Sequence, residues 1–197
     1  MRTCTYAMMT AAMLAVPAVA LAAPETFNLE KPHTDVTFTI SHLGYSMKHG
    51  EFRDLEGQLV LDQKAPANSK LDVTIKVASL DTGFAARDKD LLAPMFFDAE
   101  KYPTIKFVST SVKQIGKETA DVTGALTIHG VTKTTVLHVK LNKIGVSPLD
   151  RRNTAGFTAT AHVKRSDFGM KTFLPMVGDD VAIVIDSEFT QPAAAQK

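Results

Sequence analysis

Apolar and polar residues alternate along most of this chain with a period of two, the pattern of β-strands with one buried face. In 35–41 the even positions Val36, Phe38 and Ile40 are apolar, while Thr37, Thr39 and Ser41 are polar. In 71–77 Leu71, Val73, Ile75 and Val77 alternate with Asp72, Thr74 and Lys76. The rhythm returns at Ile105 and Phe107, at Val122, Leu126 and Ile128, and at Leu137, Val139 and Leu141. It returns again at Phe157, Ala159, Ala161 and Val163, and at Val181, Ile183, Ile185 and Phe189, where Ala182 and Val184 blur it. A further strand is expected around 51–62, with Phe52, Leu59, Val60 and Leu61. This gives about eight strands rich in Val, Ile, Thr and Phe. His129-Gly130 predicts a tight hairpin, and Gly116–Glu118 and Asn142–Pro148 predict turns. Only Arg87–Ala93 reads as helix, stopped by Pro94.

Short-linked antiparallel strands with one apolar face must close or stack to bury it. Closure of eight gives an all-β antiparallel barrel with room for side chains or one ligand; a two-layer sandwich is the competing solution. An outer-membrane barrel would carry the same alternation with its faces reversed. With no Trp, only Tyr45 and Tyr102 beyond the N-terminal segment, and Lys-rich strand faces, the sequence opposes that arrangement.

The N-terminus is read as an address. Met1 and Arg2 precede an uncharged run from Tyr6 to Leu21, and Ala20-Leu21-Ala22 is a small-x-small cleavage pattern. Residues 1–22 are therefore expected to be a secretory signal peptide, 23–190 the folded domain and 191–197 a flexible tail. Cys4 would leave with the signal, so no disulfide or thiol chemistry is expected in the mature chain. The balance of 22 Lys plus Arg against 21 Asp plus Glu offers no basic excess for phosphates, which argues against nucleic acid as a partner.

Catalytic signatures are missing: there is no H-E-x-x-H, no G-x-S-x-G and no phosphate-cradling glycine loop. The histidines His33, His42, His49, His129, His138 and His162 show no metal-ligand spacing and are expected at the surface or in loops. His42 and His49, which flank Gly44–Lys48, could point into an opening. Arg87-Asp88-Lys89-Asp90 opens the helix, and is either helix-end electrostatics or a polar rim for a ligand head. The apolar group Leu91, Leu92, Met95, Phe96 and Phe97 follows at once, and should plug or line a cavity.

Nine strings occur in an order that resembles the YceI family of exported lipocalin-like proteins. They are DVTFTISHLG (35–44), GEF (50–52), LDTG (80–83), RDKDLL (87–92), FFD (96–98), YPTIKF (102–107), TGALTIHGVTK (123–133), RSDFGM (165–170) and VGDDV (177–181). The resemblance runs from about Phe27 to Phe189; the polar segment 145–153 is less typical. It implies an extended eight-stranded lipocalin-like barrel around an apolar pore that holds a polyisoprenoid, an isoprenoid quinone or a long fatty-acid derivative. On that basis the expected lining is Phe38, Ile40, Val73, Ile75, Phe107, Leu126, Ile128, Phe157 and Ile183. Leu91, Leu92, Met95, Phe96 and Phe97 would join from the helix, Phe168 and Met170 would line a mouth, and His42 and Asp88 would supply polar contacts. The expected role is a periplasmic lipid carrier with no cofactor, in transient contact with a membrane and able to form a homodimer. Two other functions fit the sequence. One is an enzyme acting on the lipid through Asp88, Asp90 or His42. The other is a solid barrel that binds proteins through its outer face.

Overall fold

The computed structural model describes residues 23–193; the expected signal peptide and residues 194–197 lie outside it. The described strands are β1 (Glu25–Leu29), β2 (Asp35–His42), β3 (Ser46–Phe52), β4 (Leu55–Leu61), β5 (Lys70–Lys76), β6 (Leu80–Asp81), β7 (Thr104–Gln114), β8 (Thr119–Ile128), β9 (Val131–Val146), β10 (Asn153–Lys164) and β11 (Val177–Thr190). The one α-helix among the described residues is α1 (Ala85–Leu92), between β6 and β7.

All pairings are antiparallel, and the ladder β1-β4-β5-β7-β8-β9-β10-β11 closes through β11 back onto β1. This is a barrel of eight staves, and closure rules out the sandwich. β2, β3 and β6 continue three of these staves beyond a crease: β11 pairs with β2, β2 with β3, and β3 with β6. The crease falls at Glu30–Thr34, at Arg53-Asp54 and at Val77–Ser79. Lys31 and Lys76 both reach Asp54 across it, and hydrogen bonds from these two lysines hold its carboxyl below the usual range. The strand expected over 51–62 is thus two strands. The alternation also left β1 and most of β3 unmarked. β1 has five residues, and the inward positions of β3 are Lys48, Gly50 and Phe52, of which only the last is apolar and large.

A second correction concerns Asn142–Pro148, where the turn begins later than expected. β9 runs on to Val146, and the connection spans 147–152, closed by Ser147 N–H to Arg152 O at 2.8 Å. The cause is a β-bulge. Leu141 opposes Phe157 while Lys143 opposes Gly156, so Asn142 is the extra residue and parity flips after it. Arg152 pins the connection: it bonds Asp150, Glu30 (2.8 Å) and Thr190 Oγ1 (3.0 Å). The Arg152 guanidinium, with help from Ser147, holds the Asp150 carboxyl down at about 2. Gln191, expected in the loose tail, donates its N–H to Asn153 O at 2.9 Å.

The expected tight hairpin at His129-Gly130 is present, with φ of 50° and 72°. Two successive positive φ values define a type I′ turn, whose twist matches the flanking strands. A Cβ on Gly130 would lie 2.4 Å from Cε1 of Tyr102. Gly130→Ala meets both the left-handed backbone and that ring. We expect a loss of about 1–3 kcal/mol in urea unfolding, with an unchanged m-value.

On the strands the apolar parity faces inward and the polar parity outward, with Lys106, Lys133, Lys140, His138, His162 and Asp186 all exposed. This is the reverse of a lipid-facing barrel. Fully buried apolar residues gather in two clusters. The larger, under α1, contains Phe52, Val77, Leu80, Ile105, Phe107, Leu126 and Phe168; the smaller, at the far end, contains Phe27, Leu59, Ala155 and Phe189.

Candidate ligand-binding bore

Many inward apolar side chains are only half-buried. Phe38, Ile40, Val73, Ile75, Val139, Leu141, Phe157, Val163, Ile183 and Ile185 all point into the barrel and keep solvent-accessible surface. In a filled core such residues would be closed off, because interiors pack like organic crystals. Here they border a cavity of about 670 Å³. That volume lies within the roughly 300–1,000 Å³ of small-molecule pockets.

The cavity runs from one end of the barrel to the other. Its walls include Phe96, Phe97 and Phe173 at the helix end, and Gln63, Lys117 and Thr119 at the opposite end. A twelve-residue strand such as β10, at about 3.4 Å per residue and a tilt near 40°, spans about 30 Å along the axis. Spread over that length, 670 Å³ makes a narrow tube rather than a wide chamber. The solid-barrel alternative loses its premise, since the interior is not filled by the protein's own side chains.

The YceI-like domain family matches this sequence over residues 27–189. The chain belongs to the YceI family. The YceI protein of Escherichia coli O157:H7 is 42% identical to it over 172 residues, 87% of this chain and 89% of that protein. Among solved structures, the YceI-family barrel resembles Burkholderia cenocepacia BcnA with a TM-score of 0.74 and 26% identity, over 81% of this chain and 98% of that one. A polyisoprenoid binding domain from Saccharophagus degradans, implicated in plant cell wall breakdown, shares the fold with a TM-score of 0.62 at 15% identity, over 84% and 98% of the two chains.

In this YceI-family barrel the strand residues expected from sequence line the bore: Phe38, Ile40, His42, Val73, Ile75, Phe107, Leu126, Ile128, Phe157 and Ile183. Phe168 and Met170, from the turn after β10, line it too, as do Leu91, Phe96 and Phe97. Asp88, Leu92 and Met95 do not. On α1 the wall is formed by Arg87, Asp90 and Leu91, spaced i, i+3, i+4 on one face. Asp88 is turned away and accepts hydrogen bonds from Thr82 N–H (2.9 Å) and Thr82 Oγ1. Leu92 packs into the core beneath the helix. Met95, past the helix end, is 50% exposed, and its carbonyl accepts from Thr172 Oγ1.

The acid–base candidates are not assembled. Among the described residues no hydrogen bond joins Asp88, Asp90 and His42, and Asp90 is exposed. Of the other histidines, His138 bonds Asp121 on the outer face at 2.7 Å, and His129 Nδ1 lies 3.2 Å from Phe168 O. No group of three His, Cys, Asp or Glu among the described residues is placed to hold a metal ion.

Among the wall residues missed from sequence, two are basic. Lys48 faces inward from β3, a position the parity of Gly50 and Phe52 would have given. Arg165 is 5% exposed and fans its guanidinium onto three carbonyls, Gly178 at 2.7 Å and Met170 and Val177 at 2.9 Å. Burial lowers its pKa from the usual arginine value. The same turn is capped by Asp179, which accepts from Ser166 N–H and Oγ. Burial opposes ionisation of Asp179, but the Ser166 hydrogen bonds outweigh it and keep the carboxyl low. Around this mouth Leu43, Tyr45, Phe84, Met95, Phe173 and Met176 are exposed apolar residues. Leu43 and Phe173 hold positive φ, of 55° and 61°.

Proposed function

We propose that this protein binds a long apolar chain of the isoprenoid type lengthwise in the barrel, and carries it through the periplasm between membranes. The observation that carries this reading is the ring of half-buried apolar side chains around a narrow bore open along the whole barrel. The bore is about 30 Å long by strand geometry, against roughly 15 Å for one leaflet of a bilayer's hydrocarbon core. It suits a chain longer than one leaflet's depth. The polyisoprenoid binding domain of Saccharophagus degradans has the same fold, which is consistent with this ligand class.

The thermodynamics favour a carrier over a sink. Burying each CH₂ gains about 0.8 kcal/mol relative to water, but a membrane buries the same chain equally well. The net preference for the bore is therefore small and is set by shape and head group, which allows loading and release. The exposed apolar residues around the helix-end mouth would sit at a membrane surface during exchange. The signal-peptide pattern of residues 1–22 supports an exported compartment for this activity. The role is binding rather than catalysis, and no cofactor is invoked.

Native mass spectrometry of protein purified from its own exported compartment tests this, with organic extraction to identify what is bound. A stoichiometric isoprenoid or fatty-acyl species is expected, exchanging with added vesicles. A bare mass that persists after incubation with lipid vesicles would falsify the proposal.

A further inference from the structure

The two ends of the bore differ in how their polar groups are satisfied. At the far end, Lys70, Lys117 and Glu118 are exposed and hydrated. Buried Asp62 there is consumed internally, accepting from Lys64 N–H (3.0 Å), Ala65 N–H (2.8 Å) and Asn68 Nδ2 (3.0 Å). At the helix end the charge is neither fully hydrated nor paired. Lys48 points inward from β3, half-buried, with no carboxylate in ion-pairing range among the described residues. Its cross-strand partner is Ile40, while His42 opposes Ser46. Lys48 and His42 are thus diagonal neighbours on the inner face, about 7–8 Å apart at Cα.

Arg87 reaches the same wall from α1. Its Nε and Nη2 donate to Thr82 Oγ1 (2.8 Å) and Thr82 O (2.7 Å), which fixes the guanidinium beside the mouth. The lone acid on this part of the wall is Asp90, which is exposed. Arg165 adds a charge whose hydrogen bonds are already taken by carbonyls. The helix end therefore carries cationic excess over an apolar tube. A half-buried lysine without a partner is an unfavourable element for stability alone, since its partial desolvation is not offset by a counter-charge.

We propose that Lys48 and His42 form a head-group site for an anionic oxyacid, a carboxylate or a phosphate, at the end of the bound chain. This rests on the chain-binding reading above and fixes the polarity of the ligand in the bore. The head lies at the helix-end mouth beside Arg87, and the tail tip lies at the Asp62–Lys70 end. Lys48 acts as the point charge, and His42 supplies a ring nitrogen to the same oxygens.

The test uses the purified full-length exported protein, stripped by exchange against excess vesicles, and two pairs of probes. One pair is a long-chain fatty acid and its methyl ester; the other is a prenyl monophosphate and the matching prenyl alcohol. Wild type is expected to prefer the anionic member of at least one pair by about tenfold at low ionic strength, the size of one charge-assisted contact. The pair that shows the preference identifies the source, fatty acyl or prenyl. Lys48→Met keeps the stem and removes the charge. It should abolish that preference, read as the ratio of the two probes' affinities in the same variant, and Lys48→Arg should retain it. An equal preference in Lys48→Met, or none in wild type, overturns the head-group site and leaves chain binding standing. Failure of wild type to bind any of the four probes overturns both.

Discussion

Val139→Phe is expected to empty the barrel without unfolding it. Val139 lies abreast of Ala120 on one neighbouring strand and Ala159 on the other, and Ala159 in turn faces Ile185. All four line the cavity, and two are alanines, so little side-chain bulk stands beside Val139 at this level of the bore. A phenylalanine there has no polar atom to bury and has void to occupy. In a filled core the same enlargement would cost about 1–3 kcal/mol through overpacking. That would lower Tm by about 2–12 °C for a chain of this size. Here Tm should fall by less than about 3 °C, or rise, because the ring gains contacts that the valine lacks. Ligand binding behaves oppositely. A ring placed across so narrow a passage obstructs a chain threading past it, and occupancy by native mass spectrometry should drop at least tenfold. A large loss of Tm with occupancy unchanged would mean that the interior is packed and that the chain binds elsewhere.

The same wall shows why sequence reached the fold more readily than the site. Alternation reports which side of a strand avoids water, and it identified inward residues correctly from Val36 to Phe189. It cannot report whether the enclosed space is full, because a packed barrel and a hollow one need the same parity. Only the residual exposure of residues such as Ile183 and Val139 distinguishes them. The failures were local and have causes. β3 was obscured because its inward face gives up apolar bulk to Lys48 and Gly50 near the mouth. At Gly50 the space is taken by the Phe38 ring, 2.4 Å from where a Cβ would stand. The end of β9 was obscured by the bulge at Asn142, which shifts parity by one. On α1 the composition announced a cavity-facing helix, but two stripes compete. Arg87, Asp90 and Leu91 won the wall, while Asp88 was drawn off by Thr82 and Leu92 by the core. That choice depends on tertiary docking and has no signature in eight residues.

Arg165→Met should differ from Val139→Phe by losing stability as well as binding. Arg165 is an arginine in an apolar wall, and its role follows from what it holds. Its three acceptors are the carbonyl of Met170, in the segment that crosses from β10 to β11, and those of Val177 and Gly178, where β11 begins. That segment brings Phe168, Met170, Phe173 and Val177 to the mouth. The crossing has only a few turn bonds of its own, such as Val177 N–H to Phe173 O at 2.8 Å, and the guanidinium ties its two ends together. Methionine fills much the same volume but leaves three carbonyls without donors beside a dry wall. Loss of a buried charged donor from such a network costs about 3–5 kcal/mol. At about 2–4 °C per kcal/mol, Tm should fall by roughly 6–20 °C in thermal melts. Arg165→Lys should rescue little, since one ammonium cannot reach three carbonyls spread around a planar fork. Occupancy should fall in step with stability, because the mouth loses its shape before the barrel unfolds. If Arg165→Met melts like wild type, the crossing is held by the Ser166–Asp179 cap instead, and Asp179→Asn becomes the destabilising change.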